Sequence, residues 1–467
     1  MRSSGLAPGI PRRRLAVGAV TVATALSLLA APGTAHALAD VQSEAATISR
    51  GVVESNHAGF TGSGFVNYDN VTGGYIEYAV SAAQAGPHTL VFRYANGTTI
   101  DRPLSVTVDG ATAGNLSPVS NEITATPGGT GPVGVPNPGA VTTLQTGTDV
   151  PWGVAFLPDG SALVSEREKF TLYRLSPDGK RTNVGKVPGA QGTNGEGGVL
   201  GVEVSPTFAT DGYVFIYHTA SGGNQLVRAK LSGNALSGWT TLLGGVPKNR
   251  YHNGGRLRFS PDGKHLFIST GDAQNGNNAQ NMNNNAGKIL RINPDGSIPS
   301  DNPFPGKAIW SYGHRNVQGL DFDSKGRLWA SEFGNSSQDE VNLIQRGGNF
   351  GWPACEGTSG SCGGTVAPKK TWSTSSASPS GLTVINDHVF VATTAGQRIY
   401  RLRIDGNSNL VEQQIYFQGS YGRLRTVEVD HDGDIWLTTS TDKDGTAGND
   451  RLLHVDIVYP AGRQLFT

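Results

Sequence analysis

The sequence is short of charge, of cysteine and of long apolar runs, and each shortage removes a class of protein. Charged residues make up 16% of the 467 positions, and Lys+Arg and Asp+Glu balance at 37 each. With no net charge and no basic stripe interleaved with aromatics, nothing points to nucleic-acid binding. Beyond the N-terminus no segment is long and apolar enough to span a membrane. No amphipathic run is long enough for the crossover helix of a βαβ unit, which argues against a parallel α/β fold. Cysteine occurs only as Cys355 and Cys362, in the stretch Cys355-Glu356-Gly357-Thr358-Ser359-Gly360-Ser361-Cys362. An even count in an exported chain favours a disulfide closing this loop, whose entropic contribution is modest because the loop is short. Catalytic thiols are the alternative, and neither cysteine has a neighbouring base in sequence.

What is abundant is glycine, with 65 residues. Glycine-rich, charge-poor composition fits an all-β chain with many tight turns, and the length predicts two or more domains. Residues 1–37 read as an export leader: Arg12, Arg13 and Arg14 precede the apolar run Leu15 to Ala31, and Ala35-His36-Ala37 resembles a cleavage site. A membrane anchor is the competing reading, but the run is short and a small-residue cleavage site follows it. The expectation is a secreted or extracytoplasmic protein cleaved near Ala37. The arginine triplet permits the twin-arginine route.

Residues 38–115 carry short alternating runs such as Tyr75-Ile76-Glu77-Tyr78-Ala79-Val80 and His88-Thr89-Leu90-Val91-Phe92-Arg93-Tyr94, which predict a small β-sandwich. Residues 116–140, rich in Pro and Gly with no apolar period, read as a linker. From 141 to 467 a tight turn followed by a β-rich run recurs. The turns are Pro158-Asp159-Gly160, Thr210-Asp211-Gly212, Pro261-Asp262-Gly263, Ser324-Lys325-Gly326, Ile385-Asn386-Asp387 and His431-Asp432-Gly433. Units of this size and spacing predict a six-bladed β-propeller, with a long β-sandwich or β-helix as the alternative.

A propeller alone does not define an activity. The chemistry has to come from polar segments at blade edges. Four stand out: Tyr251-His252-Asn253-Gly254-Gly255-Arg256-Leu257, Ser269-Thr270-Gly271-Asp272, Ser311 to Leu320 around His314-Arg315-Asn316, and Tyr421-Gly422-Arg423-Leu424-Arg425. Loops that start each innermost strand converge on one axial mouth, so these residues are expected to share a pocket. A histidine held by a carboxylate can act as a base, and arginines can favour an oxyanion or clamp an anionic cofactor. Each also has a structural reading, as a hydrogen-bonded histidine, a turn-shaping glycine pair or a solvent-facing arginine.

These segments resemble the glucose/sorbosone dehydrogenases, soluble aldose dehydrogenases that depend on pyrroloquinoline quinone (PQQ). Further matching motifs are Gly195-Glu196-Gly197-Gly198-Val199-Leu200-Gly201, Ala286 to Ile292, Trp329-Ala330-Ser331-Glu332 and Gly348-Asn349-Phe350-Gly351-Trp352-Pro353. The resemblance implies that His252 takes the proton from the anomeric hydroxyl, that Asp272 holds its imidazole, and that Arg315 favours negative charge developing on the quinone. It assigns Glu196, Arg315, Asn316, Trp352, Arg423 and Arg425 to the cofactor site. It implies a calcium ion held by carbonyls of Gly334 and Asn335, with Asp339 and Glu340 as an acidic pair that serves calcium nearby. The resemblance also carries departures. Ala395 stands where a basic side chain is expected, with Arg398 near it, and Glu196 stands where a glutamine can contact the cofactor. Tyr251 precedes His252 where some members have an aspartate.

The N-terminal part is similar to jelly-roll carbohydrate-binding modules, shortened after about Ser120. That resemblance makes Glu44 a calcium ligand and places Tyr94 and Asn96 near a sugar-contacting loop. The partners implied are a sugar substrate, a polysaccharide and an external electron acceptor. A catalytically silent propeller that binds glycan or protein is the competing function, and a metal-dependent hydrolase a third, lacking the inward carboxylates it would need.

Overall fold

The computed structural model describes residues 135–441 and 448–459, and before them mainly strands lying between Arg13 and Ala125. By their contacts the chain forms two units, divided between Gly134 and Val135. The larger is all-β apart from two one-turn helices, Phe208–Asp211 and Asn277–Gln280.

Six four-stranded antiparallel sheets make up this unit, with a two-stranded hairpin, Cys355–Glu356 and Ser359–Gly360, beside them. Blade 1 runs through Pro151–Phe156, Ala162–Glu166, Thr171–Leu175 and Arg181–Lys186, and blade 2 through Val199–Val204, Tyr213–Ala220, Gly223–Ser232 and Ala235–Val246. Blade 3 comprises Leu257–Phe259, Leu266–Ser269, Lys288–Ile292 and Ile309–Tyr312; blade 4 comprises Val317–Phe322, Leu328–Glu332, Gln338–Leu343 and Lys370–Ser373. Blade 5 is Pro379–Ile385, His388–Thr393, Arg398–Ile404 and Leu410–Tyr416. Blade 6 takes Leu424–Val429, Ile435–Thr439 and Asp450–Val458, and its outermost strand is Asn137–Thr148, from the other end of the unit. That pairing closes the ring by backbone hydrogen bonds, so the propeller exposes no open seam. The closing strand starts at Asn137, inside the stretch read as linker, and Glu122–Ala125 of the same stretch pairs with His88–Phe92.

All six turns read from the sequence join the first and second strands of a blade. Each needs positive φ: Gly160, Gly212, Gly263, Gly326 and Gly433 supply it in five blades, and Asn386 and Asp387, with φ of 47° and 55°, in blade 5.

The second strands are buried almost throughout, Ala162–Glu166, Leu266–Ser269 and His388–Thr393 on every residue. Neighbouring blades cover both faces, hence runs such as Leu266-Phe267-Ile268 without alternation. The outer strand Arg181–Lys186 alternates instead. The apolar core divides into six clusters among the described residues, one between each pair of adjacent blades. Between blades 2 and 3, for instance, Phe215 meets Phe259 edge-on at 5.2 Å. Phe215→Ala would cost about 3–5 kcal/mol by the cavity it leaves.

In the N-terminal unit a five-stranded sheet orders Ala111–Leu116, Leu104–Val108, Arg13–Gly18, Tyr75–Val80 and Thr47–Ser49. A four-stranded sheet orders Glu122–Ala125, His88–Phe92, Ala25–Leu29 and Asp40–Gln42. Val66, Ile76 and Tyr78 are buried. Two strands of these sheets thus fall within the stretch read as a leader. Glu44, Tyr94 and Asn96 lie outside the described residues. No helix among the described residues is long and apolar enough to cross a membrane.

Candidate active site at the propeller mouth

Opposite the six turns, the segments entering the innermost strands surround a cavity of about 390 Å³ lined by Glu196, Tyr251, His252, Arg315, Phe333, Gly334, Ser378, Thr394, Ala395, Arg423 and Arg425. Glu196 precedes the first strand of blade 2, His252 that of blade 3, Arg315 that of blade 4 and Arg423 that of blade 6. Residues far apart in sequence converge because the ring brings these entry segments to one axis.

His252 sits at φ 61°, an uncommon conformation for a side chain of this size. Next to it, Gly254 has φ 63°, and a Cβ there would lie 2.6 Å from the Thr270 backbone. The Gly254-Gly255 pair therefore lets the chain turn tightly under the histidine. His252 Nδ1 donates to Asp272 Oδ1 at 2.7 Å. The carboxylate accepts, so Nδ1 carries a proton, and in the neutral ring Nε2 is the nitrogen with the lone pair. Asp272 is buried and is itself fixed by N–H donors, Trp352 Nε1 at 2.8 Å and the Gln274 amide at 2.7 Å. Tyr251 lines the cavity at the position before the histidine.

Glu196 is tied into the segments around it. Its Oε2 accepts the His252 amide at 2.9 Å and Asn316 Nδ2 at 3.1 Å. Asn316 Oδ1 in turn accepts the Gly254 amide at 3.1 Å. The carboxylate is thus paired, and it braces the histidine segment against blade 4. Glu332 shapes that neighbouring segment: one oxygen takes the Arg315 and Asn316 amides, the other His314 Nδ1 at 3.0 Å.

Three arginines give the mouth its positive wall. Arg315 donates to the Phe333 carbonyl at 3.2 Å and to Asn335 Oδ1 at 3.3 Å, and its Nε is buried without a partner. Arg425 donates to Gln318 Oε1 at 3.0 Å and Ser440 Oγ at 3.1 Å, and its Nε too is buried and unpartnered. Burial, with Arg167 and Arg423 adding repulsion, pushes Arg425 down to about 9. Arg423 Nε donates to the Ser440 carbonyl at 3.1 Å. Guanidinium groups lining one cavity give it a positive wall suited to an anionic ligand.

A family model described as Glucose / Sorbosone dehydrogenase matches residues 148–452. The chain belongs to this family. Among solved members, the PQQ-bound aldose sugar dehydrogenase of Streptomyces coelicolor is 41% identical and superposes with a TM-score of 0.64 over 69% of this chain and 100% of that one. Quinoprotein glucose dehydrogenase B of Acinetobacter calcoaceticus is 35% identical over 242 residues, 44% of this chain and 50% of that protein. Aldose sugar dehydrogenase YliI of Escherichia coli K12 is 34% identical over 230 residues, 46% of this chain and 61% of that protein.

In this member of the family, the expected residues divide by distance from the cavity. His252, Glu196, Arg315, Arg423, Arg425 and Gly334 line it. Asp272, Asn316 and Trp352 stand behind those residues and hold them. Asp339 and Glu340, read as calcium-serving or solvated, are buried in blade 4. Asp339 accepts the Gly334 and Ser378 amides at 2.8 and 2.6 Å, and Glu340 accepts the Gly357 amide and Asn342 Nδ2. Both carboxylates thus shape backbone, and burial pushes them up to about 6 and about 8. Ala395 does line the cavity, and Arg398 does not compensate for it, since its Nε donates to the Gly396 carbonyl at 2.7 Å. Cys355 and Cys362 form a disulfide. Sequence reasoning missed Glu332 as the organiser of its segment, although the Trp329-Ala330-Ser331-Glu332 motif contained it. It also missed Glu356, whose only signal was its place between the cysteines.

Proposed function

We propose that this protein is an exported dehydrogenase that oxidises the anomeric carbon of an aldose to the lactone with PQQ and calcium. The observation that carries the reading is a His252–Asp272 pair at a cavity walled by Arg315, Arg423 and Arg425. PQQ is a planar tricarboxylate, and this donor set fits it: Arg423 and Arg425 would hold carboxylates, with Arg315 beside the quinone. Bound there, PQQ supplies the electron sink that accepts a hydride.

The chain's own work is positioning and proton transfer. His252 Nε2 takes the proton of the anomeric hydroxyl, and Asp272 stabilises the imidazolium that results. Loss of that proton and of a hydride from the same C–O unit leaves the lactone. Arg315 provides positive charge on the cavity wall for a developing oxyanion. Carbonyls of Gly334 and Asn335 would hold calcium, since hard cations take oxygen donors. Asp339 acts one step behind, fixing Gly334 through its amide. The electrons leave to an external acceptor, and the N-terminal module, with Glu44 as its calcium ligand, docks the enzyme on polysaccharide.

Reconstitution with PQQ and calcium, followed by dye reduction with a panel of aldoses, tests the reading. Turnover lost in His252→Ala supports it; an unaltered absorption spectrum and no turnover with any aldose would leave a glycan- or protein-binding propeller, the reading that Ala395 favours. N-terminal sequencing of the exported protein tests the leader. A start near residue 38 is expected, and retention of Arg13–Gly18, a strand of the five-stranded sheet, overturns it.

A further inference from the structure

Glu356 is not among the residues lining the cavity, yet its carboxylate is among the most heavily hydrogen-bonded at the mouth. Its Oε1 accepts the amides of Asn335, Ser336, Ser337 and Gln338 at 2.6, 2.9, 2.9 and 3.1 Å. Burial pushes this carboxyl up, but the convergent amides outweigh it and hold the group below its ordinary value. The lock is returned from the other side. The Gly357 amide reaches Glu340 Oε1 at 2.5 Å, and the Thr358 amide reaches Gln338 Oε1 at 2.7 Å. The fit leaves no room at Gly334, where a Cβ would approach Glu356 Oε1 to 2.9 Å and the Gln338 carbonyl more closely still.

The clamped loop is the one that holds Arg315, through the Phe333 carbonyl and Asn335 Oδ1. The same stretch of chain reaches the other half of the site, because Trp352, just before the disulfide, donates to Asp272. We infer that the Cys355–Cys362 hairpin belongs to the working site, with Glu356 as a positioning residue that sets Arg315 by ordering residues 334–338. This rests on the dehydrogenase reading above.

The test compares wild type, Glu356→Ala, Glu356→Gln and Cys355→Ser/Cys362→Ser. In apo-protein, hydrogen exchange reads the amides of residues 335–338. They are expected to be protected in wild type, to exchange freely in Glu356→Ala, and to be partly protected in Glu356→Gln, which keeps an acceptor oxygen. With PQQ and calcium, Glu356→Ala is expected to lower kcat about tenfold, with the aldose KM within about twofold. The cysteine pair should change kcat in the same direction by less. In an Arg315→Lys background the Glu356→Ala loss should shrink to about twofold or less, as two residues acting as one unit require. Unchanged exchange, unchanged kcat, or losses that simply multiply would overturn the inference. Should Glu356→Ala fail to fold, Glu356→Gln carries the same comparisons. A wild type without turnover overturns the dehydrogenase reading as well, whereas an active wild type with indifferent Glu356 variants overturns this inference alone.

Discussion

The innermost strand of blade 6, Leu424–Val429, takes part in two arginine sites that ended in opposite states. Arg425 faces the mouth, buried beside Arg167 and Arg423, with its Nε unpartnered. Further along the strand, Glu428 grips Arg258 with both carboxylate oxygens at 2.7 and 2.8 Å. Asp321 and Glu203 approach the same guanidinium at 3.4 and 4.0 Å. Burial pulls both cations down. At Arg258 the three carboxylates outweigh it and lift the group well above its ordinary range; at Arg425 nothing does, and it falls to about 9. A buried cation with its counter-charges supplied is part of the scaffold. One left short of counter-charges is what the proposed cofactor site would use, because a ligand's carboxylate would recover what burial costs.

That contrast is open to test at both places. The largest effect is expected where the wall meets the base: His252→Ala should lower kcat by about 10³-fold, the middle of the range for a lost general base, with the melting temperature nearly unchanged. At the completed site, Arg258→Met should destabilise the propeller by about 2–3 kcal/mol in urea titration, less than for a fully dry pair because the groups are partly solvated, with kcat per folded molecule retained. At the open site, Arg425→Met should weaken PQQ binding about 30-fold without lowering apo-protein stability, since it removes an unpaired buried charge. If Arg425→Met destabilised the apo-protein as much as Arg258→Met, the distinction between the two would fail.

The same buried cluster also sets a pH dependence. Burial pushes Glu203 up to about 8 against the pull of Arg258, from an ordinary value of 4.5. The folded chain then holds a proton that the unfolded chain releases. This contribution to stability is complete below about pH 4.5 and is lost as the pH rises towards about 8. Glu203→Gln should flatten the decline in melting temperature across that window.

Most of the fold was legible because its signals are local. A turn that needs positive φ selects glycine, or Asn386-Asp387, and does so once per blade whatever the rest of the chain does. The ring closure was not legible. Asn137–Thr148 is rich in Gly, Pro and Thr, and its partner Asp450–Val458 lies at the far end of the unit, so no local pattern announces the pairing. At the site, His252, Arg315, Arg423 and Arg425 were found by motif, and all four do line one cavity. That Asp339 and Glu340 are buried and hydrogen-bonded to backbone amides was not legible, because those amides come from other segments of the chain. Glu196 stood out as a departure from glutamine, and its partners, the His252 amide and Asn316 Nδ2, were not visible from the sequence either.

The sequence by itself determined an all-β chain, six repeated units, and which side chains carry the charge and the titratable nitrogen at the mouth. Composition, turn chemistry and motif order are properties of neighbours along the chain. Only the tertiary structure decided which charges were answered. Whether Arg425 is a site and Arg258 a strut, or whether Glu356 is a surface residue or a clamp, depends on donors and acceptors brought from other blades and loops. In a low-dielectric interior that pairing settles what each charge can do.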